Sequence, residues 1–309
     1  MAVVDKHNVK ATFFVDAGYV ERIKHQCSFY PELKNEYEKL VKHISLLSQN
    51  GHDIQLHIHP HWRDSYYSEK GWIIDTKRYR LHNFSTLETN RIVRDYKKIL
   101  EDIIKDQIFV FRAGGWCLQP FESLGSALFS NGIRIDSTLY KGGYYKSSTH
   151  FFDFRNAEDK TIWKFKDDPN KENEEGEFIE MPISSIKVNP TFYWKMVFTK
   201  KFGGKKHIAI GDGKAVKGGK SSIIRMLTKP TMTVASIDGY KSSLLNKALN
   251  LYKTIYTEED YFIVIGHPKA TTPYSLKKLD EFIRKSVKQN EYTTYRQEVK
   301  NDKLSISNV

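Results

Sequence analysis

The sequence has little cysteine and no long apolar run. Cys27 and Cys117 are the only cysteines in 309 residues, so the chain carries no disulfide framework, and we expect both to be ordinary thiols. No apolar run approaches the ~20 residues that cross a bilayer, and the first residues lack the apolar core of a signal peptide. We therefore expect no disulfide-stapled domain and no transmembrane segment, and we expect the protein to be cytoplasmic.

The composition is that of an enzyme-sized domain with a basic surface. Hydrophobic residues make up 39% of the chain and aromatic residues 13%, which is enough for a sizeable core. The formal net charge is +12, from 49 basic and 37 acidic residues. Such a charge is typical of nucleic-acid-binding proteins, but no recognised nucleic-acid motif accompanies it. We expect no nucleic-acid partner; the charge favours a lysine-rich surface or an anionic polysaccharide.

Three histidines at alternate positions form the most informative pattern in the chain. His57, His59 and His61 follow a short apolar run. Neutral imidazole is the commonest protein ligand for transition metals, and alternate residues of a strand share one face. The pattern predicts that these side chains converge on a metal, although a polar turn can also collect histidines without function.

The flanking sequence places these histidines at the end of a strand. Residues 38–49 have apolar residues at helical spacing, and Gly51 then provides a helix stop. Ile54 and Leu56 follow as a strand. A helix, a glycine stop and a strand that ends in functional side chains are typical of a barrel whose site lies at the carboxyl ends of its strands.

Residues 51–61 resemble the second motif of the NodB-like polysaccharide deacetylases, in which a strand leads into His-x-x-x-His. In that family both histidines bind a catalytic divalent metal. The resemblance implies that His57 and His61 are metal ligands, with zinc as the expected metal, and that His59 is an additional histidine between them.

Five further segments resemble other strands and motifs of this family in the same order along the chain. They are residues 10–15, 111–116, 132–137, 179–183 and 263–269. The resemblance covers about residues 8–290 and implies an α/β fold, a distorted (β/α) barrel of NodB-like type. We expect one domain over residues 1–295, with a loop-rich insertion at about 141–230 and a frayed polar tail at 296–309.

The resemblance also implies roles for three charged residues. His267 follows an apolar strand and matches the histidine of the closing motif, which implies a general acid. Asp136 would orient His267 by hydrogen bonding. Arg112 matches the arginine of a motif that precedes a sharp turn, and it would pair with a carboxylate. Structural roles, in a strand-end turn or a salt bridge, are the alternatives for His267 and Arg112.

Three residues are candidates for contacting the substrate. Backbone N–H groups near Gly115 and Trp116, in the turn after the arginine, could stabilise an oxyanion. Trp62 lies in an aromatic loop after the histidines, and such faces either stack on sugar rings or anchor the loop. The expected substrate is an acetylated oligo- or polysaccharide.

One part of the family pattern has no counterpart in this sequence. The family's first strand carries two acidic residues, the catalytic base and a third metal ligand, and residues 3–9 already look like the helix that follows it. We therefore expect a barrel without its first strand. Asp16, at the end of the strand at residues 12–15, is the nearest substitute, although an aspartate that simply starts a turn fits this position as well.

The sequence thus predicts a metal-dependent hydrolase that removes N- or O-linked acetyl groups from a carbohydrate with metal-activated water. One alternative is another metallohydrolase, but the residue before the last histidine is Pro60, whereas the His-x-His-x-Asp-His motif has aspartate before its last histidine. The other alternative is a catalytically inactive carbohydrate-binding relative. Residues 211–221 approach a phosphate-binding loop, but Lys214 stands where the first glycine is required, so we expect a basic loop there.

Overall fold

The computed structural model describes residues 2–211, 220–257 and 260–304, in which ten helices alternate with short strands. Helices α1 to α10 are Ala2–Lys6, Ala17–Gln26, Leu33–Gln49, Thr86–Ile104, Phe121–Ser130, Pro190–Phe202, Lys220–Thr228, Leu245–Ile255, Pro273–Ser286 and Tyr295–Lys300. Strands β1 to β12 are Thr12–Asp16, Asp53–Ile58, Tyr66–Ser68, Gly71–Ile73, Val110–Ala113, Ile135–Asp136, Tyr144–Lys146, Phe151–Asp153, Trp163–Phe165, Phe178–Glu180, Ser185–Val188 and Thr231–Val234. The predicted α/β class is confirmed.

The central sheet has six strands in the order β1-β2-β5-β6-β10-β9. The first five strands are parallel, and β9 joins β10 in the antiparallel direction. The register sets Asp16 beside His57, and His57 beside Arg112. Because the carboxyl ends of parallel strands meet at one edge of a sheet, three predicted site residues are brought to that edge by backbone pairing alone.

Further extended segments continue the sheet beyond β10. The Ser184 N–H donates to the Ile263 carbonyl at 3.0 Å, and the Ala235 N–H donates to the Ser184 carbonyl at 2.7 Å. The Ile265 N–H in turn donates to the Ala235 carbonyl at 3.0 Å. Among the described residues β1 pairs with β2 alone, so these ladders form an open sheet and do not close the predicted barrel.

The main core lies between one face of the sheet and helices α2 to α5. Ile54 and Leu56 from β2 and Phe111 from β5 are fully buried there against Tyr96 and Leu100 of α4. Each such side chain contributes roughly 1.5–3 kcal/mol by leaving water. Helix α4 begins with a capping box, in which the Ser85 and Glu88 side chains accept each other's backbone N–H groups.

Helix α10 packs against the sheet, with Arg296 at Asp53, the first residue of β2. Tyr295 packs in a second apolar cluster with Val110 and Ile135, on the face of the strands turned away from the main core. Its hydroxyl donates to Ser137 Oγ at 2.6 Å. This apolar plug therefore extends along the strands as far as Ser137, which the Arg112 side chain also contacts.

The tail after residue 295 is docked, contrary to the expectation that it frays. Arg296 Nε donates to Asp53 Oδ1 at 3.1 Å, where the Asp53 side chain is 1% exposed. Leu304 is buried in the second apolar cluster. A buried ion pair and an apolar anchor hold residues 296–304 in place; residues 305–309 lie outside the described part.

The segment expected to be a loop-rich insertion contains regular structure. Residues 141–230 include strands β7 to β11 and helices α6 and α7, and β10 belongs to the central sheet. The basic loop predicted within residues 211–221 lies mostly outside the described residues. None of the described helices combines the length and apolar composition that a bilayer span needs.

Candidate functional site

The three histidines lie together at the carboxyl end of β2. His57 is in the strand, and His61 lies in a short 3-10 helix that runs from Pro60 to Arg63. The His57 and His59 rings are 4.7 Å apart, and the His59 and His61 rings are 5.4 Å apart. The predicted convergence of these side chains is thus present as a cluster of three rings.

His57 is held by both of its ring nitrogens. Nδ1 lies 2.7 Å from the Arg112 carbonyl oxygen, to which it must donate because the oxygen only accepts. Nε2 therefore carries the lone pair of the neutral ring, and it lies 3.1 Å from His59 Nε2. Metal-binding histidines commonly donate their second N–H to a carbonyl in this way.

His61 stacks on an aromatic ring from a distant loop. Its ring is 5.4 Å from that of Tyr79, with an interplanar angle of 5°. Tyr79 in turn packs at 4.0 Å against His150, in the β7–β8 hairpin. Nδ1 of His61 and Nδ1 of His59 are buried and have no hydrogen-bond partner among the described residues.

Asp16 faces this cluster from the end of β1. Trp62 Nε1 donates to its Oδ2 at 2.8 Å, while Oδ1 is buried with no partner in the described structure. Burial raises the pKa of Asp16 above its usual range, and the nearby His57 opposes that rise. A carboxylate with a raised pKa and an unpartnered oxygen is suited to accept a proton.

The histidines are neutral at pH 7. Burial lowers the pKa of His57 to about 3, and repulsion from His59 adds to this effect. Burial also lowers the pKa of His59 to about 3, with His61 adding to it. Burial lowers the pKa of His61 in the same direction. Neutral imidazoles are the form that binds metals.

Within the described residues, the Arg112 side chain hydrogen-bonds to Ser137 and not to a carboxylate. Its Nε donates to the Ser137 carbonyl at 2.7 Å, and its Nη2 donates to Ser137 Oγ at 2.9 Å. The guanidinium lies 3.9 Å from the centre of the Phe14 ring. The backbone carbonyl of Arg112, rather than its side chain, contacts the histidine cluster.

The turn after Arg112 packs directly against the histidines. A Cβ placed on Gly114 would lie 2.6 Å from His59 Nδ1 and 2.5 Å from the Ile58 carbonyl oxygen. This position admits only glycine, because neither the backbone nor the ring has room to move.

Gly115 and Trp116 continue this turn with positive φ angles of 61° and 60°. A Cβ on Gly115 would lie 2.8 Å from the Tyr79 ring and 2.9 Å from the His150 ring. The predicted turn therefore lies at the histidine cluster. The Trp116 side chain packs against the Tyr140 ring rather than against the histidine rings.

His267 is paired with Asp238, a residue that the motifs did not indicate. His267 Nδ1 lies 2.8 Å from Asp238 Oδ2, and its backbone N–H donates to Oδ1 at 2.7 Å. Burial raises the pKa of Asp238, but the hydrogen bond and charge of His267 outweigh burial and lower it overall. Donation from Nδ1 leaves Nε2 of His267 directed elsewhere.

Asp136, which was expected to orient His267, lies in a different environment. Its carboxylate accepts from the Thr138 backbone N–H and hydroxyl, both at 2.8 Å. The β6–β10 register sets it beside Glu180. Asp136 has this environment because its side chain lies on the opposite face of the strand from that of Ser137, and Ser137 is the residue level with Arg112.

His267 lies at the same end of the sheet as the histidine cluster. Its charge, together with that of Lys269, contributes to the lowered pKa of His59. Its side chain is 40% exposed, so a substrate can reach it from solvent. The expectation that His267 shares an end of the fold with His57 agrees with this placement.

The fold has a solved counterpart. Over 100% of this chain and 78% of the other, it matches the crystal structure of a "putative polysaccharide deacetylase" from Mycobacterium smegmatis, with a TM-score of 0.51 and 15% identity. The predicted resemblance is confirmed for the fold. No protein-family model matches the chain, and no curated protein matches it.

The donor atoms at these strand ends are of the types that bind transition metals. Two unpartnered imidazole nitrogens and one unpartnered carboxylate oxygen are buried in one cluster, and a buried polar atom without a partner costs about 1–3 kcal/mol. No group of three or more histidine, cysteine, aspartate or glutamate side chains in the described residues is arranged as a metal site. A bound metal would therefore require side-chain rotation.

Trp62 has a positioning contact within the site. Its indole N–H is used by Asp16, and its ring packs against Tyr19 at 4.9 Å and Trp72 at 5.4 Å. The ring is half-buried and anchors the loop after β2, while stacking on a sugar stays a prediction.

Proposed function

We propose that the protein is a carbohydrate deacetylase, a hydrolase that removes N- or O-linked acetyl groups with an activated water. The observation that carries the proposal is the cluster of Asp16, His57 and His61 at the strand ends of a deacetylase-like fold. Three pairs of residues would divide the work of hydrolysis among activation of water, stabilisation of the carbonyl oxygen and protonation of the leaving group.

Asp16 would act as the general base. Its unpartnered Oδ1 can take a proton from the attacking water, and its raised pKa favours that transfer. Trp62 holds the other oxygen and so fixes the direction of the carboxylate. Backbone N–H groups of Gly115 and Trp116 would donate to the oxyanion that forms on the acetyl carbonyl.

His267 would act as the general acid. Asp238 accepts from Nδ1, which stabilises the protonated ring and leaves Nε2 to give its proton to the leaving amine or alcohol. Asp238 would be a positioning residue in this scheme, since it touches only His267. The products are acetate and the free sugar amine or hydroxyl.

His57 and His61 would hold a divalent metal, with zinc as the proposed ion and Asp16 near it. Such a metal, when bound, lowers the pKa of water and polarises a carbonyl. The hydrogen bond from His57 Nδ1 to the Arg112 carbonyl fixes the tautomer in which the Nε2 lone pair would bind the metal.

Acetate release from N- and O-acetylated oligosaccharides tests this function. We expect turnover by the wild-type protein with zinc and a loss of about 10²–10⁴-fold in kcat for Asp16→Asn. Asp102→Asn, an exposed carboxylate on α4, is the matched control and should retain full activity. A folded wild-type protein that binds these sugars but releases no acetate would show the carbohydrate-binding alternative instead.

A further inference from the structure

Helix α6 is apolar on both of its faces. Phe192, Tyr193 and Met196 face inward and pack in an apolar cluster with β11 and α8. Four large apolar residues at spacings of three and four point outward: Trp194, Val197, Phe198 and Phe202. A helix that is hydrophobic all round is normally covered on both sides, yet the described chain covers only one side of α6.

The outward face of α6 belongs to a larger apolar surface. Phe198 is 66% exposed and Phe202 is 62% exposed, with ring centres 4.6 Å apart. Trp194 reaches α7 and donates its indole N–H to the Leu227 carbonyl at 3.0 Å. We call this the α6–α7 surface; its exposed residues are Trp194, Val197, Phe198, Phe202, Ile208, Ile210, Ile223 and Ile224.

The same segment carries most of the net charge of the protein. Residues 187–229 contain eleven lysine and arginine residues and one acidic residue, a surplus of ten charges in a chain with a net charge of +12. Lys195, Lys200, Lys201, Lys205 and Lys206 surround the exposed rings, and none of them forms an ion pair with a described residue. Within the described residues, these five lysines therefore share a segment with the exposed apolar side chains of the α6–α7 surface.

We propose that the α6–α7 surface docks onto an anionic lipid bilayer. Aromatic and aliphatic side chains enter the boundary between headgroups and acyl chains, while surrounding lysines bind the negative headgroups. Nucleic acid would use the lysines and rings, but it offers no apolar phase for isoleucine and valine. A protein partner would cover the apolar residues without requiring the five lysines that lie among them.

Docking in this orientation would bring the strand-end cluster close to the membrane. The Ile210 backbone N–H donates to the Thr271 carbonyl at 2.8 Å, and the Thr271 hydroxyl donates to the His267 carbonyl at 3.3 Å. The α6–α7 surface is thus connected to the His267 turn by two hydrogen bonds. The proposed docking does not depend on which reaction, if any, the cluster catalyses.

Flotation of the full chain with lipid vesicles tests the proposal. We expect binding to phosphatidylcholine vesicles with about 30 mol % phosphatidylglycerol, and weaker binding as salt rises. Phe198→Ser with Phe202→Ser, and separately Lys200→Glu with Lys201→Glu, should each lower the partition coefficient at least about tenfold.

Matched control variants use equally exposed residues elsewhere. Phe29→Ser with Leu87→Ser removes apolar side chains that are 66% and 62% exposed, and Lys39→Glu with Lys42→Glu reverses two exposed charges on α3. Both controls should bind vesicles like the wild type, and circular dichroism should show all variants folded.

Four outcomes would overturn the proposal. Wild-type protein that does not float with anionic vesicles would do so, as would equal loss of binding in the test and control pairs. Concentration-dependent dimerisation abolished by Phe198→Ser, without vesicle binding, would assign the surface to a second copy. Binding of an acidic polysaccharide without vesicle binding would assign it to a glycan.

Discussion

The Nε2 atoms of His57 and His59 lie 3.1 Å apart. In a hydrogen bond between two neutral rings, only one of these two nitrogens carries a proton. The Arg112 carbonyl accepts a hydrogen bond from the protonated Nδ1 of His57, so Nε2 of His57 carries no proton. His59 must therefore be the donor at Nε2, which leaves its Nδ1 as the unpartnered buried atom. The Arg112 carbonyl thus fixes the tautomers of both His57 and His59.

This contact leads to a prediction about which histidines bind metal. If His57 and His61 are the ligands, His59 competes with the metal for His57 Nε2, and His59→Ala should retain about one zinc ion per chain. His57→Ala and His61→Ala should each lose it. Elemental analysis after dialysis measures the content, with His43→Ala on α3 as the control. Loss of zinc in His59→Ala, with retention in His61→Ala, would reverse the ligand assignment.

Acid should destabilise the metal-free protein through the same rings. His57 and His59 stay neutral in the folded state down to a pKa of about 3, whereas unfolded histidine titrates near 6.5. The unfolded chain therefore binds more protons between these values, and stability falls as the pH drops by about 1.4 kcal/mol per pH unit per histidine.

Urea unfolding between pH 7.5 and 4.5 with a chelator measures this slope. His57→Gln with His59→Gln should flatten it, while His43→Gln on an exposed helix face should not. A double variant as acid-sensitive as the wild type would contradict the buried, neutral state of the two rings.

Asp238 should affect the proposed reaction only through His267. Asp238→Asn removes the negative charge that stabilises protonated His267, so kcat should fall by about 10²-fold while KM changes little. Steady-state acetate release gives both constants, and Asp238→Glu should restore part of kcat. A variant whose KM rises while kcat is unchanged would place Asp238 in substrate binding instead.

Glu180 should make the fold less stable as the pH rises. Burial and the negative charge of Asp136 raise its pKa well above the usual range, so the folded state holds a proton that the unfolded state has released. The stability that this proton contributes is complete below the pKa of Glu180 in the unfolded chain. It is lost as the pH rises toward the higher pKa of Glu180 in the folded protein.

Glu180→Gln keeps the shape but cannot ionise. Its stability curve should match that of the wild type near pH 4 and exceed it at pH 8, with a difference that grows by up to about 1.4 kcal/mol per pH unit. Glu177→Gln, exposed three positions away, is the control. Parallel curves for wild type and Glu180→Gln would show that Glu180 is ionised in the fold.

Local patterns in the sequence predicted the elements that carry local signals. The helix expected at residues 38–49 is the second half of α3, and the strand expected at Ile54 and Leu56 is β2. Thr272 followed by Pro273 is a local helix-start signal, and Thr272 caps α9 by accepting from the Ser275 N–H. Asp238 lies four residues after the end of β12, and no motif in the sequence indicated it.

Non-local contacts could not be predicted in this way. Tyr79 and His150 come from loops with no periodicity, and only the folded chain stacks them on His61. Arg112 looked like a partner for a carboxylate, but its fork fits the Ser137 carbonyl and hydroxyl on the next strand. Which polar partner a buried cation finds depends on strand register, and single-sequence patterns do not fix that register.

The plug formed by α10 has a consequence for the order in which the protein folds during synthesis. Arg296 reaches back across 243 positions to Asp53, and Tyr295 fills the space beside strands that left the ribosome long before it. Contacts between such distant positions form late, because the chain that joins them must first be made. Until residues 295–304 emerge, the nascent sheet exposes the charge of Asp53 and an unfilled apolar face, and it is during this interval that a chaperone would find its binding site.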